Sequence, residues 1–347
     1  MNPLLVEATR GGVVESAHRG ALVVVDADGK AVHTIGDTTR PVFARSAVKV
    51  LQALPLVTSG AADRFRFTDE ELALACASHN GEARHVATAA GVLAKAGLDE
   101  TALECGIQWP QHEVAQRELA LSHTPLTALH NNCSGKHAGF LCIGCMMAAA
   151  SGRDAREYVR GYVKPEHPVM REISASMQNA TGCDLSRAPI GTDGCSIPTF
   201  GIPLQQLAHA FAKVATGVGL SAERAAAAQR LRRAVAKAPF FVAGSGRFDT
   251  RVMQRLGERV FCKVGAEGVF CAALPEQGLG VAIKIDDGNN ARAAEVAMAA
   301  TIEAFVALDD GEAVFLRTLS DVALVNWNGI EVGRLRATHE LRAISAA

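Results

Sequence analysis

At 347 residues the chain can bury a large core, and its length suits one large domain or two. Hydrophobic residues make up 49% and charged residues 20%, with no polar low-complexity tract, which excludes a disordered chain. A formal charge of −1 gives nucleic acid or an anionic membrane surface nothing to hold.

The opening "MNPLLVEATRGGVVESAHRG" lacks the basic start and continuous apolar core of a signal peptide. "ALVVVDADGKAVHTIGD" follows as two extended runs around Asp28-Gly29, a hairpin signal. "PVFARSAVKVLQALPLV", residues 41–57, opens an apolar helix. From about residue 69 to 180 the period is helical, in "DEELALACAS", "ARHVATAAGVLAKAGL", "KHAGFLCIGCMMAAASG" and "HPVMREISASMQNATG". "GFLCIGCMMAAASG", the longest apolar stretch, is too short to span a bilayer. "IPLQQLAHAFAKVATG" and "SAERAAAAQRLRRAVAK" predict two more amphipathic helices. "RVFCKVGAEGVFCAALPEQGLGVAIKIDDG" then reads as strands joined by Gly-rich turns, "NARAAEVAMAATIEAFVAL" as a long helix and "VALVNWNGIEVG" as a last strand.

Strands at both chain ends with helices between predict an α+β fold. An antiparallel sheet drawn from both ends is flanked by helices, and a mainly helical region is inserted. The expected division is one domain over 1–347, with sheet-bearing parts at about 1–60 and 185–347 and a helical part at about 61–184. Nine cysteines scattered from Cys76 to Cys271 fit a reducing compartment, so a cytoplasmic protein is expected.

Ser46 and Lys49 form an S-x-x-K at the mouth of the apolar helix, where residues three apart leave one face. A serine becomes a good nucleophile when a base takes its proton. A lysine can be that base only when neutral, which requires lowering its pKa from roughly 10.4 by burial or a nearby cation. Alone the motif says little, since on the order of one is expected by chance in a chain this long, and a snorkelling lysine would read the same way. "CASHNGE" adds Ser78 and Asn80 in a loop, and "FCKVGAEGVF" adds Lys263-Val264-Gly265 at the front of a strand. Lys95 also precedes a glycine by two residues, but it ends a helix whose dipole it suits, with Gly97 as the cap. The order S-x-x-K, S-x-N, K-x-G resembles that of serine β-lactamases and penicillin-binding proteins.

"HNNCSGKHAGF" and "GTDGCSIPTF" place Cys133 and Cys195 in Gly/Asn-rich loops, with Lys136 and His137 nearby, resembling half of a zinc site. Spacing alone nominates His137 as the third ligand. Cys142 and Cys145 lie in a continuous apolar helix and read as core. Asp193 reads either as a turn-former beside Gly194 or as a site carboxylate. Arg45 reads as a solvated charge or a substrate anchor, and His79 and His85 equally as site residues or as ordinary surface residues.

Together, "RSAVK", "SHNGE", "NNCSGKHAGF", "GTDGCSIPTF", "VAGSGRFDT" and "CKVGAEG" resemble the rhizobial-type (class 3) L-asparaginases of the asparaginase II family, over nearly the whole chain. The resemblance implies a fold similar to serine β-lactamases and glutaminases, and hydrolysis of L-asparagine to L-aspartate and ammonia. It implies two Ser-Lys tandems, Ser46 with Lys49 and Ser78 with Lys263. Arg45, Asn80 and Asp193 are the expected substrate contacts. It puts one zinc per chain on Cys133, Lys136 and Cys195, replacing His137. Lysine binds zinc as the neutral amine, a form the ion's charge favours. A homodimer is the expected assembly. The gap from Ser46 to Ser78 is short and that to Lys263 long, which departs from the β-lactamase pattern. The rival readings are a glutaminase- or β-lactamase-like hydrolase and a non-enzymatic zinc-binding protein.

Overall fold

The structure, a computed structural model, describes residues 1–344. The chain falls into two compact units: residues 1–47, 201–219 and 259–347 form the first, and residues 48–200 and 220–258 the second. The sequence boundaries therefore shift in three places. Residues 48–60, 185–200 and 220–258, expected with the sheet, belong to the mainly helical unit.

The first unit carries the antiparallel sheet that both chain ends were expected to build. Its strands are β1 (Leu4–Arg10), β2 (Val13–Val25), β3 (Ala31–Ile35), β4 (Phe261–Val264), β5 (Val269–Leu274), β6 (Leu279–Ile285), β7 (Asp321–Val325) and β8 (Glu331–Ala337). The order is β7-β8-β1-β2-β6-β5-β4, with β3 added on β2. The alternating register closes apolar side chains on the core: Val23 faces Ala282 and Cys271 faces Ala282 from the other side. β5 is buried along its whole length, and so is the C-terminal half of β2 from Gly20 to Val25. The helices Leu204–Thr216 and Glu295–Phe305 cover this sheet, the first against β6 and β5.

Two readings of the tail ends are corrected. "VALVNWNGIEVG" is not one strand but a hairpin, β7 and β8 around Asn326–Ile330, because Asn326 Oδ1 accepts from the Asn328 and Ile330 amides and turns the chain. The opening residues 4–10, given no strand in the sequence, form β1 and pair with β8. Their pattern of two buried, one intermediate and two buried residues lacks the strict alternation that marks a half-buried strand.

In the second unit the helix Ser134–Ala150 is the core. Its first twelve residues are all buried, which is why "SGKHAGFLCIGC" shows no polar face. It packs against the helices Lys49–Thr58, Asp69–Ala75 and Ala83–Lys95. The Asp69–Ala75 helix starts on a Thr68/Glu71 capping box, and Lys95 clamps that Glu71 at 2.6 Å, so Lys95 is structural as its position suggested. No helix among the described residues is long and apolar enough to cross a membrane.

Candidate active site

Arg45–Val48 is a single 3₁₀ turn leading into the Lys49–Thr58 helix, and Arg45 adopts φ 50°. A non-glycine residue at positive φ is a strained one, and the strain sits immediately before Ser46. The turn keeps Ser46 and Lys49 in i, i+3 relation, the spacing at which 3₁₀ side chains eclipse. Ser46 is half-buried.

Lys49 is 0% exposed, which removes the snorkelling reading. Its Nζ donates to the Ala77 carbonyl, to Ser78 Oγ at 2.9 Å and to Cys133 Sγ at 3.0 Å. Within the second unit Lys49 is thus bonded to Ser78, a contact that the sequence spacing did not name.

Ser78 and its neighbours are fixed by backbone pairing. The Ser78 amide donates to the Val242 carbonyl at 2.9 Å, the His79 amide to Asn132 at 3.1 Å and the Asn80 amide to Ala243 at 2.8 Å. His79 is buried. Its Nδ1 accepts from the Gly81 amide and its Nε2 lies 2.9 Å from Ser134 Oγ. Burial, reinforced by the charges of His85 and Lys49, holds its pKa well below the usual range, so it is a neutral brace between the Ser78 loop and the metal-candidate helix. His85 is buried too, between His79 and Phe240. Asn80 donates through Nδ2 to Glu82 Oε1 and the Ser245 carbonyl.

Cys133, Lys136 and Cys195 converge in the same unit. Lys136 Nζ lies 3.0 Å from Cys195 Sγ, and all three side chains are at most 3% exposed. The hydrogen bond from Cys195, then the charges of Lys136 and Lys49, pulls the Cys133 thiol far down in pKa against the burial that would raise it. Cys195 moves up, as the thiol that donates that bond. Burial would lower Lys136, but the charges of Cys133 and Cys195 outweigh it and raise it. Two sulfurs and an amine buried together are a donor set of the kind zinc takes once the thiols and the lysine have given up their protons. No group of three His, Cys, Asp or Glu suited to a metal occurs among the described residues; this set differs in counting a lysine. His137, nominated by spacing, turns away to Tyr162 Oη at 2.6 Å. Cys142 is core, its thiol raised by burial.

Asp193 serves its turn. It accepts from Gly194 through Oδ1 at 2.8 Å and from Ser196 through its carbonyl, and Ser196 is held at φ 75°. Its Oδ2 lies 3.9 Å from Cys195 Sγ, so it also borders the sulfur cluster.

Gly135 lets the helix Ser134–Ala150 lie close against the helix Asp69–Ala75. A Cβ there would stand 2.6 Å from the Leu74 carbonyl and 2.3 Å from its side chain. Gly135→Ala is expected to cost about 1–3 kcal/mol of stability by overpacking. An unchanged denaturation midpoint would show that the two helices can part without cost.

The second unit therefore assembles Lys49, Ser78, Asn80, Cys133, Lys136, Asp193 and Cys195. Arg45, Ser46 and Lys263 belong to the first unit. There Lys263, fully buried on β4, donates to the Val264 carbonyl at 2.6 Å. Two residues on, a Cβ at Gly265 would lie 3.0 Å from the Ala44 carbonyl, so the end of β4 runs beside the turn that holds Arg45 and Ser46. Sequence reasoning missed Arg247, whose Nη1 donates to Asn80 Oδ1 at 3.2 Å and Gln111 Oε1 at 3.3 Å. The signal was the Gly-rich "VAGSGRFDT", quoted in the resemblance without a role for its arginine.

The family model described as L-asparaginase II matches residues 6–337. No curated protein matches the chain. Among solved structures, a β-lactamase from Mycobacterium bovis shares 14% identity over 78% of this chain and 88% of its own, with a TM-score of 0.36. Mglu in its native form shares 18% over 80% of this chain and 62% of its own, TM-score 0.35. Simvastatin synthase of Aspergillus terreus shares 13% over 77% and 86%, TM-score 0.35. At such scores these likenesses carry no weight beyond their record.

Proposed function

The chain belongs to the L-asparaginase II family, an asparaginase-type amidohydrolase family acting on small molecules, and on that premise we propose that it hydrolyses the side-chain amide of L-asparagine through an acyl-enzyme. The observation that carries the reading is the buried bond of 2.9 Å between Lys49 Nζ and Ser78 Oγ, a base within reach of a hydroxyl. The bond is expected to run from hydroxyl to amine when Lys49 is neutral.

Ser46 Oγ attacks the amide carbon and its proton passes to Lys49. The tetrahedral adduct collapses as Lys49 returns that proton to the leaving nitrogen, and ammonia departs. Water then adds to the aspartyl ester, giving up its proton to the same lysine, and L-aspartate leaves with the serine restored. Ser78 relays the proton, and Lys263 supplies the second cation that favours a neutral Lys49. The Lys49–Ser78 bond favours a second reading in which Ser78 itself attacks. Arg45, Asn80 and Asp193 are the proposed substrate contacts.

Cys133, Lys136 and Cys195 are the proposed zinc ligands. When bound, the ion supplies a fixed positive charge and a polarising Lewis acid. The chain's own part is to hold Asn131–Cys133 rigid: Asn131 Oδ1 accepts from the Cys133 amide at 2.9 Å, and Asn131 Nδ2 donates to the Cys105 carbonyl at 2.9 Å. A cytoplasmic homodimer completes the proposal.

The test supplies purified protein with L-asparagine, L-glutamine and a chromogenic β-lactam. Ammonia from asparagine at a rate well above that from glutamine is the expected result. Turnover of glutamine or the β-lactam alone would move the protein to the rival hydrolases, and no turnover of any would favour the zinc-binding reading.

A further inference from the structure

We propose that Arg247 receives the α-carboxylate of the substrate, making it a specificity-determining residue. This contact rests on the asparagine reading above. The segment Gly244–Arg247 leads into the helix Phe248–Leu256, with Ser245 and Gly246 exposed and Arg247 half-buried. It lies against the serine loop: the Ser78 and Asn80 amides donate to Val242 and Ala243, and Asn80 Nδ2 donates to the Ser245 carbonyl at 3.1 Å.

Arg247 is held in place and not neutralised by an acid among the described residues. Both its hydrogen bonds to described residues, to Asn80 and Gln111, come from Nη1 and end on neutral amide oxygens. No Asp or Glu among the described residues pairs with it, while most arginines that bond across elements here, such as Arg259 with Glu312, do so to a carboxylate. Glu82, the acid nearest in the network, is taken up by the Ser245 amide at 2.8 Å, Ser245 Oγ at 2.7 Å and Asn80 Nδ2 at 3.2 Å. The Nε–Nη2 edge of the guanidinium is left for the two parallel bonds that grip a carboxylate.

Arg247 stands one hydrogen bond from Asn80, which is two residues along the chain from Ser78. In the reading in which Ser78 attacks, an amino-acid amide with its amide at that hydroxyl is short enough for its carboxylate to turn toward the guanidinium.

The test compares L-asparagine with 3-aminopropanamide, the same amide with hydrogen in place of the α-carboxylate. Arg247→Gln is expected to lower kcat/KM for asparagine about 10- to 100-fold, chiefly through KM, as the loss of a charge-assisted contact does. Activity on 3-aminopropanamide is expected to stay within about twofold, and Arg247→Lys to recover part of the loss. Inhibition of asparagine hydrolysis by L-aspartate and by 3-aminopropanoate gives the same comparison without turnover of the truncated amide. Equal losses on both substrates, or an undiminished preference for the carboxylate-bearing member of each pair, would overturn the assignment. A wild type that releases no ammonia from asparagine overturns the asparagine reading instead, before any Arg247 variant is made.

Discussion

Lys49→Met and Ser78→Ala should each leave a folded protein whose asparagine turnover is lower by about three to five orders of magnitude, and the double variant should be little worse than either. Methionine is the better replacement because it keeps the volume of a side chain that is wholly enclosed. A base and the hydroxyl it serves act as one unit, so most of the effect is lost with the first of them. Ammonia release gives the rates, and circular dichroism confirms the fold. Losses below about tenfold that add in the double variant would reduce Lys49 to a buried structural cation. Ser46→Ala joins the same series. Acid quench during turnover followed by peptide mass analysis identifies the serine carrying an aspartyl ester, and this decides between Ser46 and Ser78.

Cys133→Ser and Cys195→Ser are expected to take the zinc content from about one per chain to near none, because the thiolate is the strong ligand. Elemental analysis of purified protein reads this directly. Lys49→Met should keep its zinc despite the 3.0 Å approach of Lys49 to Cys133, since that lysine is a neighbour and not a proposed ligand. Equal zinc in wild type and both cysteine variants, or none in the wild type, would remove the site.

Much of this was legible in the residues and some was not. The pattern of the "SGKHAGFLCIGC" segment announced a buried helix, and the Gly/Asn-rich setting of Cys133 and Cys195 set them apart from Cys142 and Cys145. Their convergence is a tertiary fact, yet loop chemistry pointed to it. The bond from Lys49 to Ser78 was not legible. Spacing along the chain names Ser46, whereas the loop that brings Ser78 to the amine is set by pairing with Val242 and Ala243, far away in sequence. The burial of His79 and His85 was not legible for a related reason. A polar residue inside "SHNGE" looks exposed until its ring is found stacked on another and on Phe240. β1 escaped because a strand covered on both faces loses the alternation by which strands are recognised.

The sheet of the first unit also sets a timetable for synthesis. Every residue of the second unit has been made by position 258, so its helices can pack while the chain is still growing. β1 and β2 are made first of all, yet β2 waits for residues 279–285 and β1 for residues 331–337. During that interval their outer edges have unsatisfied amides and carbonyls open to pairing with other chains. Closing loops of this length makes the last strand pairings the slow ones. A nascent chain stalled between residues 258 and 331 would thus hold a finished Lys49–Ser78 pair beside an unfinished sheet, and the aggregation hazard of this fold lies in that window.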